Sequence, residues 1–276
     1  VRDVLAAFEL LSLNLFELGL PVECLGLGSF LQRLLFMLLT PLFLVGCTVP
    51  IAWWLVREEA AEEGGLRAVH VLLRALPMAL KLLFLVFPLV SAVAVQAYDC
   101  EVFDTGESWL RADYSLQCGV GGLDGLEELT PEYERARQAA LLAILIYALG
   151  VPLLFLGLLL KCRKQLSRRA PSTPLSVALG FLCAEYKKRF FVWEVLESVK
   201  KLFFVSLIRV VASGTLTQLL VGLLAGMSIL IYQLTASPYK LATDNFLGLL
   251  GGVAYCLLLL GALTLKMGSL FEALGD

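Results

Sequence analysis

The sequence predicts an all-α fold: a polytopic bundle of about six transmembrane helices with one disulfide-closed extracytoplasmic loop. Hydrophobic residues make up 59% of the 276 positions, charged residues make up 17%, and the mean hydropathy is +0.84. A soluble domain carries roughly 25% charged residues. The apolar residues are also gathered into runs of about 20 residues or more, the length that crosses a bilayer. We therefore expect a single transmembrane domain over residues 1–276.

The apolar runs define the spans and the segments between them. Residues 1–30 are predicted to form an outer amphipathic segment, because apolar residues recur there at helical spacing between charged ones. The tail of a spanning helix fits the same pattern. The second helix is expected to begin near residue 66, with its first turns in water. Two prolines interrupt the first span, where Thr40 and Thr48 are expected to satisfy freed carbonyls. The predicted spans lie near residues 31–55, 76–97, 136–160, 190–212, 216–235 and 246–265.

The charge distribution predicts the orientation. The connection 161–189 carries eight Lys and Arg residues against Glu185 alone. Short loops rich in Lys and Arg stay in the cytoplasm, so this connection is predicted to be cytoplasmic. The polar loop 98–135 then lies outside, and its excess of Asp and Glu agrees with that side. We expect an integral protein of the plasma membrane.

Two cysteines bracket the richest part of the outer loop. Cys100 and Cys118 have 17 residues between them, and disulfides persist on the oxidising side of a membrane. We predict a Cys100–Cys118 disulfide, with two free thiols as the alternative. The acidic residues of the loop lack the spacing of an EF-hand, so a solvated acidic face is expected rather than a metal site. Cys24, also predicted outside, has no assigned partner.

The fourth predicted span carries an intramembrane charge cluster, whose members on this helix are Glu194, Glu197, Lys200 and Lys201. Only about eleven residues separate Lys201 from the outer turn, too few to cross the hydrocarbon. The helix must therefore carry these charges partly into the membrane. Glu194, Glu197 and Lys201 share one face at offsets of 3 and 4, which is the spacing of intrahelical ion pairs.

The second helix supplies two cations to the same cluster. Arg74 and Lys81 are seven residues apart on one face, and Lys81 lies inside the apolar part. Charged residues inside a membrane usually face the bundle interior and are paired or functional. Our hypothesis is that Lys81 or Arg74 packs near Glu194 or Glu197. The alternative is an interfacial cluster whose long side chains reach toward water without a partner on another helix.

Small residues recur four apart on the last two spans, at Gly222 and Gly226 and at Gly248 and Gly252. This spacing lets helix backbones approach closely. We predict that these glycines pack the two helices together, and a gating or pore role is the alternative.

Signatures of enzymes are sparse. His70 is the single histidine, and the sequence has no nucleophile elbow, phosphate-binding glycine loop or paired-cysteine zinc spacing. We therefore expect no enzyme activity and no cofactor. The one basic cluster is short and lies beside the membrane, so we expect no nucleic-acid partner.

Several stretches together carry a family resemblance. They are residues 106–118 (GESWLRADYSLQC), residues 147–152 (YALGVP), Trp193-Glu194 with Lys200-Lys201, and Ser237-Pro-Tyr239 with Asp244-Asn245. In their order and spacing the chain resembles the TRP-like (transient receptor potential-like) membrane domain of algal, oomycete and fungal proteins. That domain often follows a cysteine-rich, ephrin-receptor-like ectodomain.

The resemblance implies a cation-channel-related or sensory membrane domain of a larger protein. The lipid bilayer and an ectodomain or partner protein on the outer loop are the expected partners, and a homo-oligomer is left open. The connection between the last two predicted spans, about ten residues on the cytoplasmic side, has no room for an outer pore loop. Any permeation path must be built otherwise.

Two other functions stay open: a receptor-like or structural membrane anchor without permeation, and a transporter that uses the intramembrane charges. A water-lined cavity reaching Glu194, Glu197 or Lys81 would favour conduction or transport. A dry, ion-paired core would favour the anchor or receptor.

Overall fold

A computed structural model describes residues 28–63, 68–121, 127–166, 173–204 and 215–275. Most of the predicted segment 1–30, with Cys24, and the later part of the fourth predicted span lie outside the described residues. Within the described part, five helices are long and apolar enough to cross a membrane, which confirms a helical polytopic fold. They cover Phe30–Arg57, Val71–Gln96, Pro131–Lys161, Leu216–Ala236 and Ala242–Gly268.

The first two helices, α1 (Phe30–Glu63) and α2 (Ala68–Gln96), pack against each other. A proline in a helix leaves a carbonyl of the preceding turn without its backbone donor. For Pro41 and Pro50 these carbonyls belong to Met37 and Gly46. The Thr40 hydroxyl donates instead to the Phe36 carbonyl and the Thr48 hydroxyl to the Val45 carbonyl, both at 2.7 Å, so the expected bonds from these threonines to the freed carbonyls are not formed. From another helix, the Tyr147 hydroxyl donates to the Leu38 carbonyl at 2.7 Å.

The loop after α2 folds into an antiparallel sheet, to which the sequence analysis assigned no strands. The strands pair in the order β1-β2-β3-β4. In the second strand, Ser108 and Leu110 are buried while Glu107 and Trp109 are only partly buried, the alternation of a half-buried strand. Gly106 turns the chain before it at φ +81°, a region that glycine enters without strain. The strands are Cys100–Val102 (β1), Glu107–Leu110 (β2), Asp113–Gly121 (β3) and Glu127–Leu129 (β4).

A continuous helix follows the sheet, formed by α3 (Pro131–Ala143), a π-helical stretch (Ile144–Gly150) and α4 (Val151–Lys161). Thr130 caps it by accepting a hydrogen bond from the Tyr133 amide. Its inward face joins α1, α2 and the underside of the sheet in one core. The largest buried side chains of that core include Tyr147, Phe87, Phe155, Leu34 and Leu110.

Short helices occupy the predicted cytoplasmic connection and lead into the charged helix. They are α5 (Arg163–Leu166), α6 (Pro174–Ala178), α7 (Gly180–Cys183), a 3₁₀ turn (Lys188–Phe190) and α8 (Trp193–Leu202). The described part of the fourth predicted span is therefore residues 190–204, most of which form α8. A sixth span stays a prediction, because residues 205–214 lie outside the described ranges.

The last two helices, α9 (Leu216–Ala236) and α10 (Ala242–Gly275), form a hairpin. Ser237 ends α9 in the left-handed conformation at φ 43°. Large apolar side chains on α10, including Leu257, Leu258 and Leu265, are more than half exposed. Such a surface belongs in contact with lipid, because exposed apolar patches of this extent are rare on soluble monomers.

Candidate functional site between the last three helices

The loop between α9 and α10 is bound to the segment before α8. The Lys187 amide donates to the Pro238 carbonyl at 2.8 Å, and the Lys240 amide donates to the Glu185 carbonyl at 2.9 Å. The Asn245 carboxamide accepts from the Tyr239 amide at 3.2 Å and donates to the Tyr239 carbonyl at 3.0 Å. We call this contact between residues 184–194 and 236–245 the junction.

Aromatic rings pack the junction and continue between the helices. The rings of Tyr186 and Tyr239 lie 5.0 Å apart between centroids. Trp193, at the start of α8, stacks on Tyr232 of α9 at 5.3 Å and 16°. Ring pairs at these separations add about 0.5–1.5 kcal/mol each beyond the area they bury. The hairpin is therefore attached to α8 by side chains as well as by backbone.

Glu194 lies at the edge of the junction with both carboxylate oxygens engaged. The Tyr186 hydroxyl donates a hydrogen bond to Oε2, and the Lys201 ammonium lies 3.8 Å from Oε1. Burial, followed by the hydrogen bond to the Glu194 carboxylate, raises the pKa of Tyr186 well above its ordinary value. Tyr186 therefore stays a neutral donor at physiological pH.

Glu197, one turn further along α8, is also paired within its own helix. Its Oε1 accepts from the Trp193 indole nitrogen at 3.1 Å, and its Oε2 pairs with the Lys200 ammonium. The side chain is only 12% exposed. Burial and the negative charge of Glu197 raise the pKa of Tyr239. The charge of Glu197 on α8 therefore favours the neutral form of a junction tyrosine.

Lys81 of α2 has different surroundings from the paired glutamates. The Lys81 ammonium lies 5.9 Å from the centre of the Phe181 ring, and among the described residues no carboxylate oxygen lies within 4.0 Å of it. Helices α2 and α8 approach each other where the Lys201 ammonium of α8 lies 5.8 Å from the centre of the Phe84 ring of α2. The placement of Lys81 or Arg74 near the glutamates stays a prediction.

A cavity of about 290 Å³ opens between α8, α9 and α10. Glu197 and Lys200 line its α8 side. Gln233 lies on its α9 side; the residue is 7% exposed, and its carboxamide makes no hydrogen bond to another described residue. The carboxamide faces the cavity, where water or a ligand can satisfy it. The cavity therefore combines a charged wall with an available polar group.

Three of the four glycines singled out from the sequence, Gly226, Gly248 and Gly252, lie at the contact between α9 and α10. A Cβ on Gly252 would come within 2.7 Å of Leu230 Cδ1, and a Cβ on Gly248 within 2.1 Å of Gln233 Nε2. On α9, Gly222 and Gly226 are buried, and a Cβ on Gly226 would meet Cys256 Sγ at 3.4 Å. Gly226, Gly248 and Gly252 also line the cavity.

The sheet packs on the helices at the C-terminal end of α2, which ends at Gln96. We call residues 97–133 the cap. The predicted Cys100–Cys118 disulfide is present. Asp113 Oδ2 accepts from the Phe30 amide at 2.8 Å and lies 3.2 Å from the Arg33 guanidinium. Burial opposes ionisation of Asp113, but hydrogen bonds from Ser115 and Phe30 and the charge of Arg33 outweigh it and lower the pKa.

Several of these partners were not predicted from the sequence. The offset of four between Trp193 and Glu197 is a local signal that could have identified their hydrogen bond. The bonds from Tyr186 to Glu194 and from Asp113 to α1 depend on the tertiary fold and have no local signal. Within the described ranges, no group of three or more His, Cys, Asp or Glu residues is placed to hold a metal ion.

Searches of protein-family models, of curated proteins and of solved structures find no match to this chain.

Proposed function

We propose that the chain is a channel-related membrane domain of the TRP-like class, in which the cavity between α8, α9 and α10 lies on the path of a cation. The observation that carries the proposal is that this cavity reaches Glu197, a carboxylate on a helix that borders the apolar spans. A carboxylate in such a place is costly, and in membrane proteins it commonly marks an ion pathway.

The lining chemistry supports passage of a cation. Glu197 contributes negative charge, the Gln233 carboxamide offers an oxygen, and Tyr239 and Tyr255 are also part of the lining. Aromatic rings can attract cations. The pairing of Glu197 with Lys200 limits its attraction for a resident ion. Conduction requires sites that bind weakly enough to release the ion, and a lysine beside the carboxylate provides that weakness.

The proposal includes an orientation and a context. The cap lies outside the plasma membrane, where its disulfide persists, and the basic connection 161–189 lies in the cytoplasm. An ectodomain or partner protein contacts the cap. Support for the TRP-like class comes from the junction, where Trp193, Glu194, Tyr239 and Asn245 come together from two of the stretches that carry the resemblance.

The test is ion flux through liposomes that contain the full chain. We expect the wild type to admit a monovalent cation and Glu197→Gln to reduce the flux about tenfold or more, because the variant removes the negative charge that lines the cavity. Glu194→Gln is the matched control: it neutralises a similarly buried, lysine-paired glutamate that does not line the cavity, and we expect it to retain flux.

Two outcomes would contradict the proposal. Wild-type flux no higher than that of empty liposomes would exclude conduction. Equal losses of flux in the two variants would show that the cavity is not on the ion path and that both substitutions damage α8.

A receptor-like domain without permeation is the second candidate, and the attachment of the cap favours it. Leu110 and Leu116 of the sheet belong to the same buried core as α1, α2 and α3, so a partner bound at the cap would act on the helices directly. An absence of wild-type flux together with ligand-dependent changes at the junction would favour this candidate.

A further inference from the structure

The face of the cap sheet that points away from the helices is aromatic and acidic. In the register of the sheet, Glu101 on β1 lies opposite Trp109 on β2. Trp109 and Glu107 lie on the face opposite to that of the buried residues Ser108 and Leu110. This arrangement leaves large apolar rings where a sheet usually presents polar side chains to water.

An open cavity of about 660 Å³ lies on this face. It is lined by Glu101, Phe103, Thr105, Glu107, Trp109 and Tyr114. Three different aromatic rings and two carboxylates thus surround one space.

Hydrogen bonds hold the lining side chains in place. The Tyr114 hydroxyl donates to Glu101 Oε2 at 2.7 Å, and the Trp109 indole nitrogen donates to Glu107 Oε2 at 3.4 Å. The rings of Phe103 and Tyr114 meet edge to face at 6.2 Å. The hydrogen bond to Glu101 raises the pKa of the Tyr114 hydroxyl. Each carboxylate is therefore positioned beside a ring.

Rings beside carboxylates recognise organic cations. A ring face attracts a cation through its quadrupole, the carboxylates add charge-assisted hydrogen bonds, and the rings cover the alkyl part of the ligand. Arg111 lies 3.6 Å from Glu101 Oε2 and offsets part of the negative charge. Glu107, on the other side of Trp109, has no Arg or Lys nitrogen within 4.0 Å among the described residues.

We infer that this face binds an arginine or lysine side chain presented by a partner protein. The space is open and larger than one cationic group. Val102 pairs with Ser108 and therefore lies on the opposite face of the sheet, outside the pocket. Charge complementarity selects a basic partner. The inference does not depend on cation passage through the membrane.

The test uses the full chain in lipid nanodiscs, with Trp109 as the reporter. The probe is N-acetyl-arginine amide, and its neutral isostere N-acetyl-citrulline amide is the control ligand. We expect saturable quenching with a dissociation constant of the order of 1 mM, at least about tenfold tighter than for the citrulline compound. The variant Trp109→Phe identifies which part of the fluorescence signal comes from the site.

Variants then distinguish the loss of arginine binding from the loss of folding. Glu107→Gln keeps the shape of the side chain and is expected to weaken arginine binding about tenfold, whereas Val102→Ala, outside the lining, is expected to leave it unchanged. Retention of the Cys100–Cys118 disulfide on non-reducing gels reports folding of each variant. If Glu107→Gln fails to fold, Glu101→Gln tests the same charge requirement.

Three results would overturn the inference: no saturable binding of the arginine probe below about 10 mM, equal binding of the arginine and citrulline compounds, or unchanged arginine binding in Glu107→Gln and Glu101→Gln. A tetramethylammonium probe distinguishes the source of the cation. Tighter binding of tetramethylammonium than of the arginine compound would contradict a partner side chain and indicate a free organic cation.

Discussion

The cap and the junction are both polar contacts at the ends of apolar helices, but they are held together differently. The cap is closed by a covalent bond between Cys100 and Cys118, and its underside belongs to the main hydrophobic core. The junction depends on hydrogen bonds, ion pairs and ring contacts between Tyr186, Trp193 and Tyr239 and their partners. Hydrogen bonds, unlike a covalent bond, can open and be exchanged one at a time for hydrogen bonds to water. The junction is therefore the part of the molecule suited to rearrangement, and the cap is the fixed part.

Removal of the disulfide should have the largest effect on stability. Reduction, or the double change Cys100→Ser with Cys118→Ser, releases a loop with a sequence separation of 18, which in the loop-entropy model costs about 3 kcal/mol. We expect earlier unfolding and faster proteolysis within the cap while the helices stay protected. Cys47→Ser, at a free cysteine on α1, is the control. Equal proteolysis of the reduced and oxidised protein would show that the core alone holds the cap.

Loss of the tyrosine hydroxyl at the junction should come next. Tyr186→Phe leaves Glu194 with one partner fewer in a half-buried place, and hydrogen bonds to charged groups contribute about 1.5–3 kcal/mol. Hydrogen exchange should accelerate at the Lys187 and Lys240 amides and not in the cap. Tyr98→Phe, which removes a longer bond of 3.4 Å to the Arg137 carbonyl, is expected to change little. Unchanged exchange at the junction would show that Glu194 is not part of what holds it.

Asp113 should make the cap sensitive to acid by about 1 kcal/mol, a magnitude typical of one hydrogen bond. Its pKa in the folded protein is lowered from 3.8, so its contribution is complete above that pH. The contribution is lost as pH falls through the lowered pKa and the carboxylate binds a proton. The stability difference between wild type and Asp113→Asn should therefore be constant near neutral pH and shrink below about pH 4. Equilibrium unfolding at a series of pH values measures it, and a difference that persists at the lowest pH would contradict the assignment.

The hairpin glycines should give an effect no larger than that of Asp113. Gly252→Ala requires Leu230 Cδ1 to move from 2.7 Å, whereas Gly251→Ala meets nothing within 4 Å. Overpacking costs about 1–3 kcal/mol when neighbours cannot adjust, and because Leu230 can change rotamer we expect about 1 kcal/mol. Thermal unfolding in nanodiscs should separate the two adjacent variants. Equal melting temperatures would mean that the two helices do not depend on this close approach.

Much of the architecture could be predicted from the sequence, because a bilayer imposes a length on apolar segments. The disulfide was predictable since both cysteines fall in one polar loop. The sheet was missed, although Glu107-Ser-Trp-Leu110 alternates between buried and less buried positions. That stretch is short and polar, and such a signal is weak beside long apolar runs.

The candidate site was predictable only where it depends on one helix. The offset of three between Glu197 and Lys200 corresponds to an ion pair in the structure. Glu194 and Lys201, which the sequence places on one face, pair across an offset of seven rather than at the predicted offsets of three and four. The junction joins Lys187 to Pro238 across 51 positions, and no local pattern reports a contact at that separation.

The proposals for the cap and for the cavity both require that the cap and the junction lie on opposite sides of a bilayer. Labelling with a membrane-impermeant maleimide in sealed vesicles tests this requirement directly. Single cysteines are placed at Val102→Cys in the cap and at Lys188→Cys beside the junction, both exposed positions. The background keeps the disulfide and replaces the remaining cysteines, Cys24, Cys47, Cys162, Cys183 and Cys256, with alanine. We predict that the cap position is labelled only from outside and the junction position only after the vesicles are opened. Labelling of both positions from the same side would contradict the account.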